Sequence, residues 1–493
     1  MTGKTLEKTA WWLVLMVWLG YFPFFPRLHS ANELSRLYLA WSIVYDGDLK
    51  ITNQIREFGD IGDKSIRNHE FYSDKPPGTA FLAVPVLYLK KLLGLGPDLE
   101  LDLRLARLTT TLFAGIVLLI LLKREMEVWG IPPEDRAVVV LVTGLGSLAF
   151  TYSILYYGHI TTAFFIFWGY YLTRNIEKPY QVFLVGFSLA MAVLSEYQAA
   201  VYGIPIALYV CWALRKRPQR VLLALLGALL PLALLMFYHY KAFGSPFKTS
   251  YNFVANPYFA SIHHKGFMGL VFPRLRPLLW SLFSPSKGLY FYTPAFLLGT
   301  AGLFLLHRDP RGRLAIIVGL LPFLFVACMV YYQGGWTVGQ RHLTPAVPFL
   351  ALGLGLALRR WSLARLFAPG LIAASIVITG LSTLVFPHIP AHFANPLGEL
   401  ILPLADRGCM VKFLWMEGRL WSAVALLAAL AVLMLYLLLR CSKGKLYAIS
   451  GLVLIPSIMI VASSRYLPPN YKVNRAIQPF VEQYRAAGCR SLR

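Results

Sequence analysis

Apolar stretches recur from one end of the chain to the other, separated by short polar turns. "GIVLLILL", "VLLALLGALLPLALLMF" and "LWSAVALLAALAVLMLYLLL" show neither the two-residue alternation of a strand nor the one-sided stripe of a soluble helix. Each approaches the roughly 20 residues that cross a bilayer as a helix. The pattern therefore predicts an all-α fold, a polytopic bundle of transmembrane helices. About fourteen apolar segments are visible on that length criterion. An inner N-terminus and an outer tail require an odd number of crossings, so the expectation is about 13 membrane helices, with residues 79–94 too short to span. The first segment, residues 11–25, has no small-residue cleavage site behind it and reads as a retained anchor.

Two polar stretches carry a pattern of their own. In "NELSRLYLAWSIVYDGD", Leu34, Leu37, Trp41 and Val44 recur at helical spacing, which predicts an amphipathic helix on the outer membrane surface. The proline-broken, basic stretch at 261–285 reads as interfacial for the same reason. No internal repeat is evident, so the signature of many transporters is missing. The chain divides at 385, with residues 1–385 as the main membrane module and 386–493 as further helices and an outer tail.

Charge fixes the orientation. Only 14% of the 493 residues are charged, yet the formal net charge is +24. Soluble domains run near a quarter charged. Lys and Arg gather at 215–220, 307–313, 358–365 and 440–445. That is the positive-inside pattern, which explains most of the charge without nucleic acid. Long polar stretches, 27–78 and 241–288 among them, then face outward. Lys75, Lys248, Lys265, Arg274, Arg276 and Arg341 lie on that side too, where cations suit an anionic lipid or a phosphate. Five cysteines form no CxxC pair, so no zinc site or disulfide framework is read from them. Cys409 and Cys489 are both expected on the outer side, where their spacing alone does not establish a pair.

The same geography gathers ionisable residues at one membrane face: Glu33, Asp74, His159, Glu196, His263 and Arg341. Such groups at a bilayer lip are costly and mark functional sites. Asp74-Lys75-Pro76-Pro77-Gly78 combines an acid, a lysine held extended before proline and a helix start whose free N–H groups favour an anion. A snorkelling lysine is the plain alternative. Arg36 sits three residues after Glu33 and predicts a local ion pair. Asp60 and Asp63 read as turn residues or as further acids. Arg341-His342, after glycines, suits phosphate. His263 and Asp74 are the candidate ligands for a divalent ion, with no spacing that fixes a site. Walker, GxGxxG, HExxH and GxSxG motifs are absent.

Seven motifs appear in order: "NELSR" at 32–36, "YSDKPPG" at 72–78, "YYGH" at 156–159, "LSEYQAA" at 194–200, "FGSPF" at 243–247, "SPSKGLYFYTP" at 284–294 and "GGWTVGQRHLTPAVPF" at 334–349. Together they resemble multi-pass glycosyltransferases of the GT-C fold, in the branch of protein O-mannosyltransferases and aminoarabinose transferases. The resemblance implies a sugar donor on a polyprenyl phosphate, such as undecaprenyl phosphate. It also implies a glycolipid, glycan or protein acceptor, and a site on the outer face of a bacterial inner membrane, opening to the periplasm. It places the donor phosphate on Lys75, with Arg36, His159, Glu196, Tyr197, Arg341 and His342 lining the donor site. Relatives carry an Asp-Glu pair where this chain has Asn32-Glu33. Glu33 is therefore the expected general base for an inverting displacement, followed by Asp74, Asp63 and Asp60. No cofactor is firm, and a divalent ion is optional in such enzymes. A transporter or flippase of lipid-linked sugars is the alternative reading.

Overall fold

The computed structural model describes residues 2–21, 29–409, 428–436, 445–465 and 478–486. Residues 440–444 of the last basic loop and Cys489 lie outside these residues. Five described helices are long and apolar enough to cross a membrane: Leu99–Val128, Pro218–Phe243, Pro310–Cys328, Arg341–Arg360 and Ser362–Val385. Shorter apolar helices such as Pro179–Ser195 and Ala199–Ala213 pack among them. The chain is an integral membrane protein, and five helices of full length do not establish the expected thirteen.

Helix packing follows side-chain size. Helix α1 (Gly3–Tyr21) turns Leu6, Ala10, Val14 and Trp18 inward, and Trp18 Nε1 donates to Gly144 O at 2.6 Å. A Cβ on Gly186 would fall against the backbone of Ala224, and one on Gly227 against that of Phe183. Close backbone approach through small residues is how helices associate where lipid removes the hydrophobic drive.

Above this bundle lies an outer layer with its own core. Helix α2 (Ala31–Trp41) is not a helix lying on the surface. Leu37, Tyr38, Leu39, Ala40 and Trp41 are buried, and so are Asn32, Glu33, Ser35 and Arg36. The polar face can be buried because Glu33, Ser35 and Arg36 each find a partner from another segment, described below, and Asn32 accepts from Arg36. Helix α3 (Thr52–Phe58) and a hairpin follow. The hairpin is a small strand pair added to the helical fold that the sequence predicts. Strand β1 (Lys64–Arg67) pairs antiparallel with β2 (Glu70–Ser73), with Lys64 opposite Ser73 and Arg67 opposite Glu70. Asn68 and His69 both take positive φ, 51° and 63°, the backbone that a two-residue hairpin turn requires.

Helix α4 (Gly78–Leu92) starts directly after the two prolines. At 15 residues it rises only about 22 Å, short of a bilayer core of about 30 Å. A Cβ on Gly78 would sit 2.6 Å from the backbone of Leu194. Only glycine lets the start of α4 meet the end of the Pro179–Ser195 helix, and the residues beside that contact, Lys75 and Glu196, line one cavity. Residues 264–285 match the interfacial expectation in part: Phe267, Phe272 and Leu275 are exposed there, alternating with Lys265, Arg274 and Arg276.

Candidate active site

The hairpin builds the centre of the site. Because Lys64 faces Ser73, the residues flanking that pair, Asp63 and Asp74, meet at the open end of the ribbon. Lys75 reaches between them: Nζ lies 2.9 Å from Asp63 Oδ2 and 2.9 Å from Asp74 Oδ2. Ser35 Oγ donates to Asp74 Oδ1 at 3.3 Å and shares a 2.9 Å hydrogen bond with Ser73 Oγ. Ser250 Oγ holds the Asp74 carbonyl at 2.8 Å.

Two carboxylates on one lysine cannot be equivalent. Burial pushes Asp63 up, but Lys75, helped by Arg341 and Arg36, outweighs it and holds the carboxyl below the usual range. Burial also pushes Asp74 up, and there Asp63's charge adds to it, so Asp74 ends above the usual range despite Lys75. Burial pulls Lys75 down, and the two acids more than reverse that. Asp63 is the ionised, more exposed member, with its side chain 25% exposed against 11% for Asp74.

These three residues line a cavity of about 600 Å³. Glu196, Tyr197, Arg341 and His342 line it as well, so three remote segments expected at one face, 74–75, 196–197 and 341–342, do converge. Arg341 follows a turn with positive φ at Gly334, Gly335 and Gly339. Its Nε is buried with no hydrogen-bond partner. His342 Nδ1 is 2.7 Å from Gln198 Oε1, and Tyr197 OH is 2.8 Å from His239 Nε2. Apolar side chains line it too, among them Val201, Ile262, Phe267, Leu270, Phe325 and Met329.

Four expected site residues lie elsewhere. Glu33 is 0% exposed and does not line the cavity. Arg107 Nη2 and Nε donate to its Oε1 at 2.6 and 3.0 Å, as does the Tyr156 N–H at 2.7 Å. Its Oε2 accepts the Ser30 N–H at 3.2 Å and lies 3.4 Å from His388 Nε2. Burial alone would raise its pKa, but Arg107 and His388 hold it below the ordinary value. Arg36 does not pair with Glu33. It donates to Glu196 Oε1 at 2.7 Å and to the Asn32 carbonyl and side-chain oxygens. The acid expected near Asn32 is thus replaced by an amide that accepts from a buried arginine. His159 does not line the cavity but touches residues that do, its Nδ1 3.9 Å from Glu196 Oε1 and its ring edge-to-face with His342. Asp60 is 67% exposed, pairs with Lys64 and lies off the cavity.

For a metal, Asp74 and His263 both line the cavity, but His263 stacks on Tyr251 at 4.2 Å. No group of three or more metal-ligating side chains occurs among the described residues. Sequence reasoning missed Arg107, His388 and Gln198. Arg107 had a signal, as a charge entering an apolar segment, whereas His388 and Gln198 had none. It also missed the terminal helix Gln478–Ala486. Phe480 of that helix packs on Trp336, Phe386 and Phe393, and Gln483 reaches the cavity.

No family model and no curated protein matches the chain. Solved structures do. ArnT from Cupriavidus metallidurans in the apo state covers 92% of this chain and 77% of its own, at 18% identity and TM-score 0.46. The same protein bound to undecaprenyl phosphate gives 17% identity and TM-score 0.45, with equal coverage. The apo oligosaccharyltransferase of Archaeoglobus fulgidus gives 14% identity and TM-score 0.42, over 93% of this chain and 60% of its own. Both proteins are GT-C glycosyltransferases, the group that the sequence motifs resemble. At these scores the likeness stands as a likeness, and the chemistry rests on the side chains.

Proposed function

We propose that this chain is a membrane glycosyltransferase. It moves a sugar from a polyprenyl phosphate to an acceptor hydroxyl, at the outer face of a bacterial inner membrane. The observation that carries the reading is Arg341: a guanidinium Nε without a hydrogen-bond partner, in a cavity that also holds Lys75 and is lined by apolar side chains as well. A lipid phosphate satisfies all three features. Its headgroup takes the two cations, and its first isoprene units lie along Val201, Phe267 and Met329.

Asp63 serves as general base in place of Glu33. It removes the proton from the acceptor hydroxyl. The oxygen bonds to the anomeric carbon from the face opposite the phosphate, the carbon–phosphate-oxygen bond breaks, and its electron pair leaves with the phosphate. Configuration inverts. Lys75 and Arg341 face the charge that develops on the leaving group. The phosphate competes with Asp63 for Lys75. Donor binding therefore loosens the ion pair that holds Asp63 acidic and makes it a better base when the acceptor is present. Binding of undecaprenyl phosphate to the purified protein tests this reading. Arg341→Ala and Lys75→Ala should each weaken it by roughly tenfold or more. Wild-type affinity in both variants would remove the phosphate site.

A further inference from the structure

The motif "SPSKGLYFYTP" takes no part in the chemistry above, yet its lysine is completely buried. Lys287 is 0% exposed and does not line the cavity. Its Nζ donates to Thr337 O and, at 2.8 Å, to Ile389 O, with Thr337 Oγ1 at 3.5 Å. No carboxylate pairs with it among the described residues. A lysine head removed from water without a counter-charge is costly to keep, which calls for a reason beyond packing.

Its two acceptors belong to different segments, and both segments reach the site. Thr337 lies in the irregular turn that ends at Arg341. With φ positive at three glycines, that turn has little helix or strand to fix it. It is held by side chains instead: Tyr152 OH donates to Val338 O at 2.9 Å, and Gln340 Nε2 donates to Tyr332 O. Ile389 follows His388, whose ring contacts Glu33. The Thr337 N–H also donates to Ile389 O, at 2.8 Å, so Lys287 closes a three-way junction between the turn and the 386–389 segment. Burial, with Arg341's charge adding to it, lowers the Lys287 pKa well below that of an exposed lysine. Charged or neutral, the amine keeps N–H donors for both carbonyls.

We propose that Lys287 is a positioning residue. It clamps the Arg341 turn to the 386–389 segment, and so fixes the guanidinium in the cavity before a phosphate arrives. The proposal rests on the phosphate role of Arg341. Pre-organised donors bind more tightly because the ordering cost is met in folding.

A double-mutant cycle on the full chain in detergent, with undecaprenyl phosphate as the probe, tests it. Lys287→Met keeps length and volume but loses the donors. It is expected to raise the Kd roughly tenfold. In an Arg341→Ala background the same change should alter the Kd less than about twofold, because the residue it acts through is gone. Lys287→Arg should recover most of the affinity. Lys287→Gln keeps an amide donor and is expected to fall between; it carries the cycle if the methionine variant does not fold. Arg341→Ala weakening binding while the Lys287 variants bind as wild type would overturn this inference alone. Losses that simply add would also overturn it, leaving Lys287 a structural residue. Arg341→Ala binding as wild type would overturn both this inference and the phosphate site.

Discussion

Glu33 is the acid that the sequence motif favours as base, whereas its burial against Arg107 fits a structural role. The two roles separate under one perturbation. Glu33→Gln removes the charge opposite Arg107, and both side chains are 0% exposed. Five contacts converge on this carboxylate, three of them at 3.0 Å or less. Breaking a buried pair from one side leaves the other charge uncompensated, at a cost of about 3–5 kcal/mol. Removing both charges is far milder, because the burial penalty disappears with the pair. Glu33→Gln should therefore unfold well below wild type in detergent, and Glu33→Gln with Arg107→Met should regain most of the loss. Sugar transfer should follow stability, and the double variant should keep at least about a tenth of wild-type turnover. A general base is worth about 10²–10⁴-fold. A stable double variant that still binds undecaprenyl phosphate but has lost that much turnover would refute the structural role and restore Glu33 as the base.

Three further outcomes follow from the same geometry. Asp63→Asn should lose about 10²–10⁴-fold in transfer while binding undecaprenyl phosphate as tightly as wild type or more so, since Lys75 loses a competitor; weaker binding would contradict the proposed competition. Because Asp63's pKa is depressed, transfer and the stability from its ion pair should hold above the ordinary carboxylate range and fall only as pH drops through the lowered value. A pH–rate profile of the free enzyme whose acid limb lies near neutrality would show that Asp63 is not the base. Gly78→Ala forces a methyl against the Leu194 backbone and should lower thermal stability and transfer together, whereas an unchanged melting profile would show that the α4 contact is not tight.

The chemistry of the site was legible where neighbouring residues in sequence carry it. Asp74-Lys75 before two prolines, and Arg341-His342 after flexible glycines, are local patterns, and both reach the cavity. Burial was legible too, because long apolar runs allow little but membrane helices. Pairing was not. Arg36 lies three residues from Glu33, so a local ion pair is the natural reading; its actual partner Glu196 is 160 residues away. Glu33 turns back to cap its own helix at Ser30 and meets Arg107, a choice that only packing of α2 against the Leu99–Val128 helix makes. The hairpin was hidden because four-residue strands carry almost no periodic signal. With it was hidden the fact that Asp63, a plain loop acid by pattern, faces Asp74. Asn68-His69 was the one local hint.

Sugar transfer by the purified protein tests the central claim most directly. Detergent-solubilised protein, with no membrane gradient, should transfer sugar from an undecaprenyl-phosphate-linked donor to envelope glycolipid acceptors, detected by mass, with the anomeric configuration inverted. Asp63→Asn should cut the product by about 10²–10⁴-fold, and Arg341→Ala should lower it as donor binding weakens. Movement of lipid-linked sugar across vesicles, with no new glycosidic bond formed in detergent, would contradict the account and leave a transporter in its place.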